Sequence, residues 1–198
     1  MHHIYHTNSI VLDTFPTGEA DMTILLFTKE LGMILAVAKS VRSAKSKLRY
    51  SLQIGSVSKV DLVKGKQVWR VISATPIDRI NILDAETRAV VAKAVRFVKR
   101  MVDKEKEERG IYSDLESLLF STKKGHSKEK LAEIELVFYL RSLFGLGYIA
   151  NNTEFRDILS REYSISELET LPLRRQKRQD AIKNAKYQSR FHHEVIKM

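Results

Sequence analysis

Lys39, Arg42, Lys45, Lys47 and Arg49 all fall within residues 36–50, a stretch with no carboxylate and with Ser40, Ser43 and Ser46 set between the cations. Phosphate oxygens accept charge and hydroxyl hydrogen bonds alike, so residue types at this spacing suit the backbone of a nucleic acid. Unpaired cations are costly to bury, which puts the stretch on a surface loop. A second strip, Lys64, Lys66 and Arg70, flanks Trp69, the single tryptophan of the chain. An aromatic among cations on a sheet is a stacking platform for bases. Strand alternation also allows the opposite, with Trp69 inside and Arg70 outside, and Val68 and Ile72 compete for the same interior.

Other chemistries find little support. The sequence has no Gly-rich loop ending in GK[ST], no GxSxG, no HExxH and no dinucleotide fingerprint. With no Cys, disulfides, thiolate zinc sites and a cysteine nucleophile are excluded, and the chain fits a reducing compartment. Asp13, Glu19 and Asp21 read as turn and strand-end residues rather than a metal cluster. His2, His3 and His6 at one end and His192 with His193 at the other read as frayed, solvent-exposed side chains. The expectation is a protein that is not an enzyme and carries no metal or cofactor.

The charge is unevenly spread. Net charge is +10 overall; it is +5 over residues 1–80, −1 over 81–170 and +6 over 171–198. A basic surplus concentrated in this way points to nucleic acid first, then to an anionic membrane or an acidic protein. In the last stretch Arg174, Arg175, Lys177, Arg178, Lys183, Lys186 and Arg190 run all round a helical projection, as on a solvated helix; phosphate tracking is the second reading.

The elements that must carry these residues change character near residue 80. Residues 4–12, 22–28, 33–39, 57–63 and 68–75 are short runs rich in Val, Ile, Thr and aromatics, separated by turn residues such as those at 15–18, 30–32 and 64–66. Five antiparallel strands in so little chain close into a small barrel to avoid open edges. OB-like and SH3-like barrels both fit the periodicity. Asp84, with Thr87 as a second candidate, then caps a helix from Ala85 whose Val91, Val95, Val98 and Val102 share a stripe, with Val90, Ala94, Phe97 and Met101 beside it; a charged exit, Lys104 to Arg109, ends at Gly110. A short helix over 114–120 follows, then a helix over 128–146 that is apolar nearly all round in its second half, as befits a domain centre. Weaker pieces over 153–159 and 166–171 precede the basic helix at 173–195. No apolar run approaches the roughly 20 residues of a membrane span, and the N-terminus lacks a signal-like apolar region, so a soluble cytoplasmic protein is expected.

The order Ser9-Ile10-Val11-Leu12, Gly18-Glu19-Ala20-Asp21, Phe27-Thr28-Lys29-Glu30-Leu31-Gly32, Ala38-Lys39 and then Ser43-Ala44-Lys45-Ser46-Lys47-Leu48-Arg49 resembles the N-terminal domain of bacterial RecO proteins. Leu52-Gln53 and Trp69-Arg70-Val71 fit it too, and the run from Glu135-Leu136 to Leu146-Gly147-Tyr148 is similar to the helical part. The resemblance implies an α+β chain, with a five-stranded OB-fold barrel over 1–80 and an all-helical domain over 81–198 that is weakly defined after 151. It implies a recombination mediator and strand-annealing protein of the RecF pathway, nucleoid-associated in the cytoplasm, acting in DNA repair. Its partners would be single- and double-stranded DNA, RecR, the acidic, apolar tail of single-strand-binding protein, and indirectly RecA. Many relatives carry a four-cysteine zinc motif that this chain lacks. DNA would meet Lys39, Arg42, Lys45, Lys47, Arg49, Lys64, Lys66 and Arg70, with a base stacked on Trp69. Phe138, Arg141 and Phe144 would supply apolar walls and a cation for the partner tail. The competing expectation is a non-enzymatic adaptor whose basic loop is merely solvated.

Overall fold

The computed structural model describes residues 3–66, 68–78, 84–149 and 156–159. The strands are β1 (Ile4–Thr17), β2 (Asp21–Thr28), β3 (Gly32–Ala38), β4 (Val57–Lys64) and β5 (Trp69–Asp78). They close in the order β1-β2-β3-β5-β4, with β3 and β5 parallel and the other pairs antiparallel. That order is the OB-fold, which resolves the choice the periodicity had left open.

Alternation decides what fills the barrel. Val11, Ile24, Leu26, Ile34, Ala36, Val60, Leu62 and Val71 point inward and pack into one cluster, roofed by Val41 and Leu52 from the long β3–β4 connection. Their neighbours face outward. β1 runs further than its sequence suggests: the strand continues through Phe15 and Pro16, opposite Thr23 and Met22, and turns only at Gly18. Proline is tolerated there because β1 pairs with β4 only as far as Ile10, so one edge of the later half of β1 carries no ladder to interrupt.

The helices are α1 (Ala85–Met101), α2 (Arg109–Ser121), α3 (Lys128–Gly145) and the single turn α4 (Arg156–Leu159). Asp84 caps α1 as expected, its carboxylate accepting from the Thr87 amide at 2.6 Å. Two expectations are corrected. α1 stops at Met101 rather than continuing into a charged exit, and Gly110 lies inside α2 instead of ending a helix. The reason is tertiary: Glu105 takes a left-handed φ of 54° and its amide donates to the Met33 carbonyl at 3.0 Å, while Lys104 makes a parallel bridge to Met33. Gly32 makes this approach feasible, since a Cβ there would sit 2.0 Å from the Lys106 carbonyl oxygen.

The chain divides into two compact units, Met1–Asn81 with Lys99–Tyr112 and Ile82–Val98 with Ser113–Met198. In the first, Phe27 and Tyr112 are fully buried with ring centroids 5.7 Å apart. In the second, Phe97 lies 5.8 Å from Phe138 and 5.2 Å from Tyr139. Among the described residues no helix is long and apolar enough to cross a membrane.

Candidate nucleic-acid interface

The basic stretch leaves β3 and is fastened almost at once. The Ser40 amide donates to Asp21 at 2.8 Å, the Arg42 amide to the Ala20 carbonyl at 3.0 Å, and the Arg42 guanidinium to the Gly18 carbonyl at 3.1 Å. Lys39 pairs with Asp21 at 3.4 Å. The Ser40 amide and the nearby ammonium hold the Asp21 carboxyl below its ordinary range. Leu48 rests on the barrel core and Leu52 is buried, so the short 3-10 turn Lys47–Tyr50 is gripped from below. Lys45 just before it, and Lys47 and Arg49 within it, are exposed, with no side-chain ion pair or hydrogen bond among the described residues.

The second strip divides differently. Lys64, at the end of β4, donates to Glu105 at 2.9 Å and lies 5.1 Å from the Trp69 ring centroid. Trp69 faces inward: it is 5% exposed, meets the Tyr5 ring edge-on at 5.1 Å, and donates its indole N–H to Glu105 at 3.2 Å. The stacking role expected for Trp69 is therefore corrected. Its register opposite Ala36, an inward residue of β3, turns the ring into the barrel. Both donors hold the Glu105 carboxyl below its usual range, Lys64 most strongly. Arg70, the next residue, points outward, and like Lys66 it is exposed with no ion pair among the described residues.

The expected partner-peptide set is also corrected. Phe138 is fully buried, and Arg141 is 1% exposed, its guanidinium 3.6 Å from Asp114 and donating to the Ile158 carbonyl at 2.7 Å. Only Phe144 is half-buried rather than fully enclosed. A helix apolar on all sides belongs to a core, and its cation has a carboxylate waiting on α2.

The N-terminal carboxylates are separated by their partners: Asp13 is held by Lys99 and the Thr14 amide, Asp21 by the loop. Among the described residues no group of three or more His, Asp or Glu is arranged to hold a metal ion. His6 is exposed but not frayed, since it sits in β1 with Nδ1 2.6 Å from Asp61, whose carboxyl also accepts from Ser73. His2, the C-terminal histidines, the 166–171 piece and the basic 173–195 stretch lie outside the described residues.

Two exposed aromatics escaped sequence reasoning. Tyr50 is 54% exposed at the end of the cationic turn, and Phe15 is 46% exposed on the outer face of β1. Tyr50 was legible as an aromatic next to Arg49; Phe15 was obscured by the Pro-Thr-Gly that follows it and reads as a turn.

Comparison with known proteins places this geometry. The family model described as Recombination protein O N terminal matches residues 1–80. The chain is 30% identical over 149 residues to a DNA repair protein RecO of Thermodesulfovibrio yellowstonii, covering 73% of this chain and 58% of the relative. It is 32% identical over 145 residues to the one from Acetivibrio thermocellus, covering 72% and 57%. Over the barrel it is 39% identical across 75 residues to the one from Dehalococcoides mccartyi, covering 38% and 30%. Even the longer alignments thus span little more than half the length of those relatives. On its barrel topology and these matches, residues 1–80 form a RecO N-terminal domain, and the chain is similar to RecO proteins into its helical part.

Proposed function

We propose that this chain binds single- and double-stranded DNA through the β3–β4 loop and the adjoining β5 face, and acts without covalent catalysis as a strand-annealing recombination mediator of the RecF-pathway type. The carrying observation is a set of five exposed cations, Lys45, Lys47, Arg49, Lys66 and Arg70, with no carboxylate partner among the described residues. Neutralising phosphates on two strands lowers their repulsion and lets base pairing proceed, which needs no reacting side chain. Lys39, Arg42 and Lys64 complete the basic surface while serving also as ties within it. RecR, the tail of single-strand-binding protein and, through them, RecA are the partners that belong with this reading. Phe138 and Arg141, being buried, drop out of any tail-binding surface, and Phe144 alone of that set keeps partial exposure.

The test is fluorescence anisotropy with a single-stranded oligonucleotide across a salt series, joined to an annealing assay on complementary strands. Five phosphate contacts give a slope of log affinity against log salt of about −3.5, and removing three cations in K45A/K47A/R49A brings it to about −1.4. Annealing slows in the same variant. A slope that the triple substitution leaves unchanged would falsify the electrostatic reading. It would favour instead an adaptor whose docking surface is the exposed aliphatic group Leu35, Val68 and Ile72.

A further inference from the structure

The barrel register sets one row of outward side chains across neighbouring strands. Phe15 on β1 is opposite Thr23 on β2, Thr23 opposite Val37 on β3, and Val37 opposite Arg70 on β5. Thr23, Val37 and Arg70 are outward because their chain neighbours Ile24, Ala36, Ala38, Trp69 and Val71 fill the barrel, and Phe15, opposite Thr23, is 46% exposed on the same side. Phe15 and Arg70 thus stand at the two ends of a row three strand spacings long, about 14 Å along the surface. Between them lie only Thr23, tied to Thr17 at 2.8 Å, and Val37. The loop that carries Lys45, Lys47 and Arg49 leaves β3 just after Val37, and its Arg42 donates to the Gly18 carbonyl in the turn that follows β1.

A single exposed phenylalanine is ordinary on a protein surface. Here three further features bear on it: the ring shares a register row with Arg70, which has no ion pair among the described residues, the strand at the middle of that row leads into the loop carrying the exposed Lys45, Lys47 and Arg49, and the tryptophan that would otherwise supply a stacking face is buried. We propose that Phe15 is the base-stacking platform of this face and that the row from Phe15 to Arg70 therefore takes single-stranded rather than duplex DNA. This rests on the DNA-binding reading above and adds to it a strand preference and a residue. In a duplex each base face is covered by its neighbours, whereas an unpaired base can leave the stack and lie on an aromatic ring while the adjacent backbone reaches a cation. Phosphate neutralisation by the loop is indifferent to that distinction; the aromatic end of the row is not.

The experiment compares wild type, F15A and F15Y by anisotropy on three probes: an oligothymidylate, the same phosphodiester chain with abasic sites in place of bases, and a blunt duplex. F15A weakens oligothymidylate binding about 5- to 150-fold, the loss expected for one stacked base. It leaves the salt slope and the affinities for the abasic chain and the duplex unchanged. F15Y keeps the ring and retains wild-type affinity. Equal losses on all three probes, or no loss on oligothymidylate, overturn the proposal. Wild type must itself prefer oligothymidylate to the abasic chain by a similar factor, so the idea stays open to refutation even if F15A folds poorly. If K45A/K47A/R49A changes the salt slope but F15A is silent, Phe15 falls and the DNA reading stands. If the triple variant leaves the slope unmoved, the DNA reading falls, whatever F15A does.

Discussion

Replacing Glu105 by Gln should make this protein bind DNA with a steeper salt dependence. One carboxylate oxygen of Glu105 accepts from Lys64 at 2.9 Å and the other from Trp69 at 3.2 Å, while the Glu105 amide is fixed to Met33. A glutamine keeps an oxygen for the indole but offers Lys64 an amide that cannot neutralise an ammonium. Lys64 then joins the cations available to phosphate, and the slope of log affinity against log salt moves from about −3.5 to about −4.2, one contact's worth on a single strand. Stability changes little, because both partners of the ion pair are 52% exposed, and pairs of that kind contribute about 0.2–1 kcal/mol. Glu105→Ala separates the two roles: it also strips the acceptor from a buried indole N–H, costing about 1–3 kcal/mol. The sign of the pH effect follows from the lowered carboxyl. With a folded value below the ordinary 4.5, Glu105 stabilises the fold fully above that pH and loses its contribution as pH falls through the folded value. Salt-series anisotropy and acid melts of wild type and E105Q measure both effects. An E105Q slope equal to or shallower than wild type refutes the view that Glu105 withholds Lys64 from DNA.

Two further substitutions probe the framework. Gly32→Ala combines a φ of +69° with a Cβ placed 2.0 Å from the Lys106 carbonyl oxygen; a loss of at least about 1–3 kcal/mol in chemical denaturation is expected, and a loss under about 0.5 kcal/mol would mean that the 104–106 segment is not docked on β3 as described. Arg141→Met removes the guanidinium 3.6 Å from Asp114, a carboxylate only 3% exposed, so thermal melting should show a loss of about 3–5 kcal/mol, with part of it recovered when Asp114→Asn is added; an equal loss in single and double variants would contradict that pairing.

The barrel was legible because its signals are local. Period-two alternation and turn residues such as Gly18 and Gly32 mark the strands, and each strand needs only its own sequence to be recognised. What could not be read depends on partners far along the chain. Trp69 and Val68 compete on equal terms until the parallel pairing with β3 sets Trp69 opposite Ala36 and turns it inward. Residues 104–109 read as a charged helix exit, and only the bare backbone at Gly32 explains why 104–106 leave α1 to dock on β3. Arg141 reads as a binding residue because a cation on an apolar helix has no local excuse; its partner, Asp114, belongs to another helix. Phe15 was missed for the opposite reason, since Pro-Thr-Gly is a strong local turn signal that the β1–β2 ladder overrides.

The same distinction bears on the proposed binding of DNA by the cationic loop. Eight cations look equivalent in sequence, yet Lys39 and Lys64 are tied to carboxylates and Arg42 to a carbonyl, while Lys45, Lys47, Arg49, Lys66 and Arg70 are left to solvent. The ties come first along the loop and the free charges after them. Val41, 2% exposed, and Leu52, 3% exposed, then bracket the free charges with side chains sunk in the barrel core. A cationic segment held at both ends loses less conformational freedom on meeting a strand than a tail of the same composition, and fixing each mobile side chain costs about 0.5–1.5 kcal/mol. In the proposed DNA-binding role, the basic composition would supply attraction to phosphate, and the apolar anchors that interrupt it would hold the charges in place for it. Swapping Val41 and Leu52 for polar residues would leave every charge in place and still weaken binding.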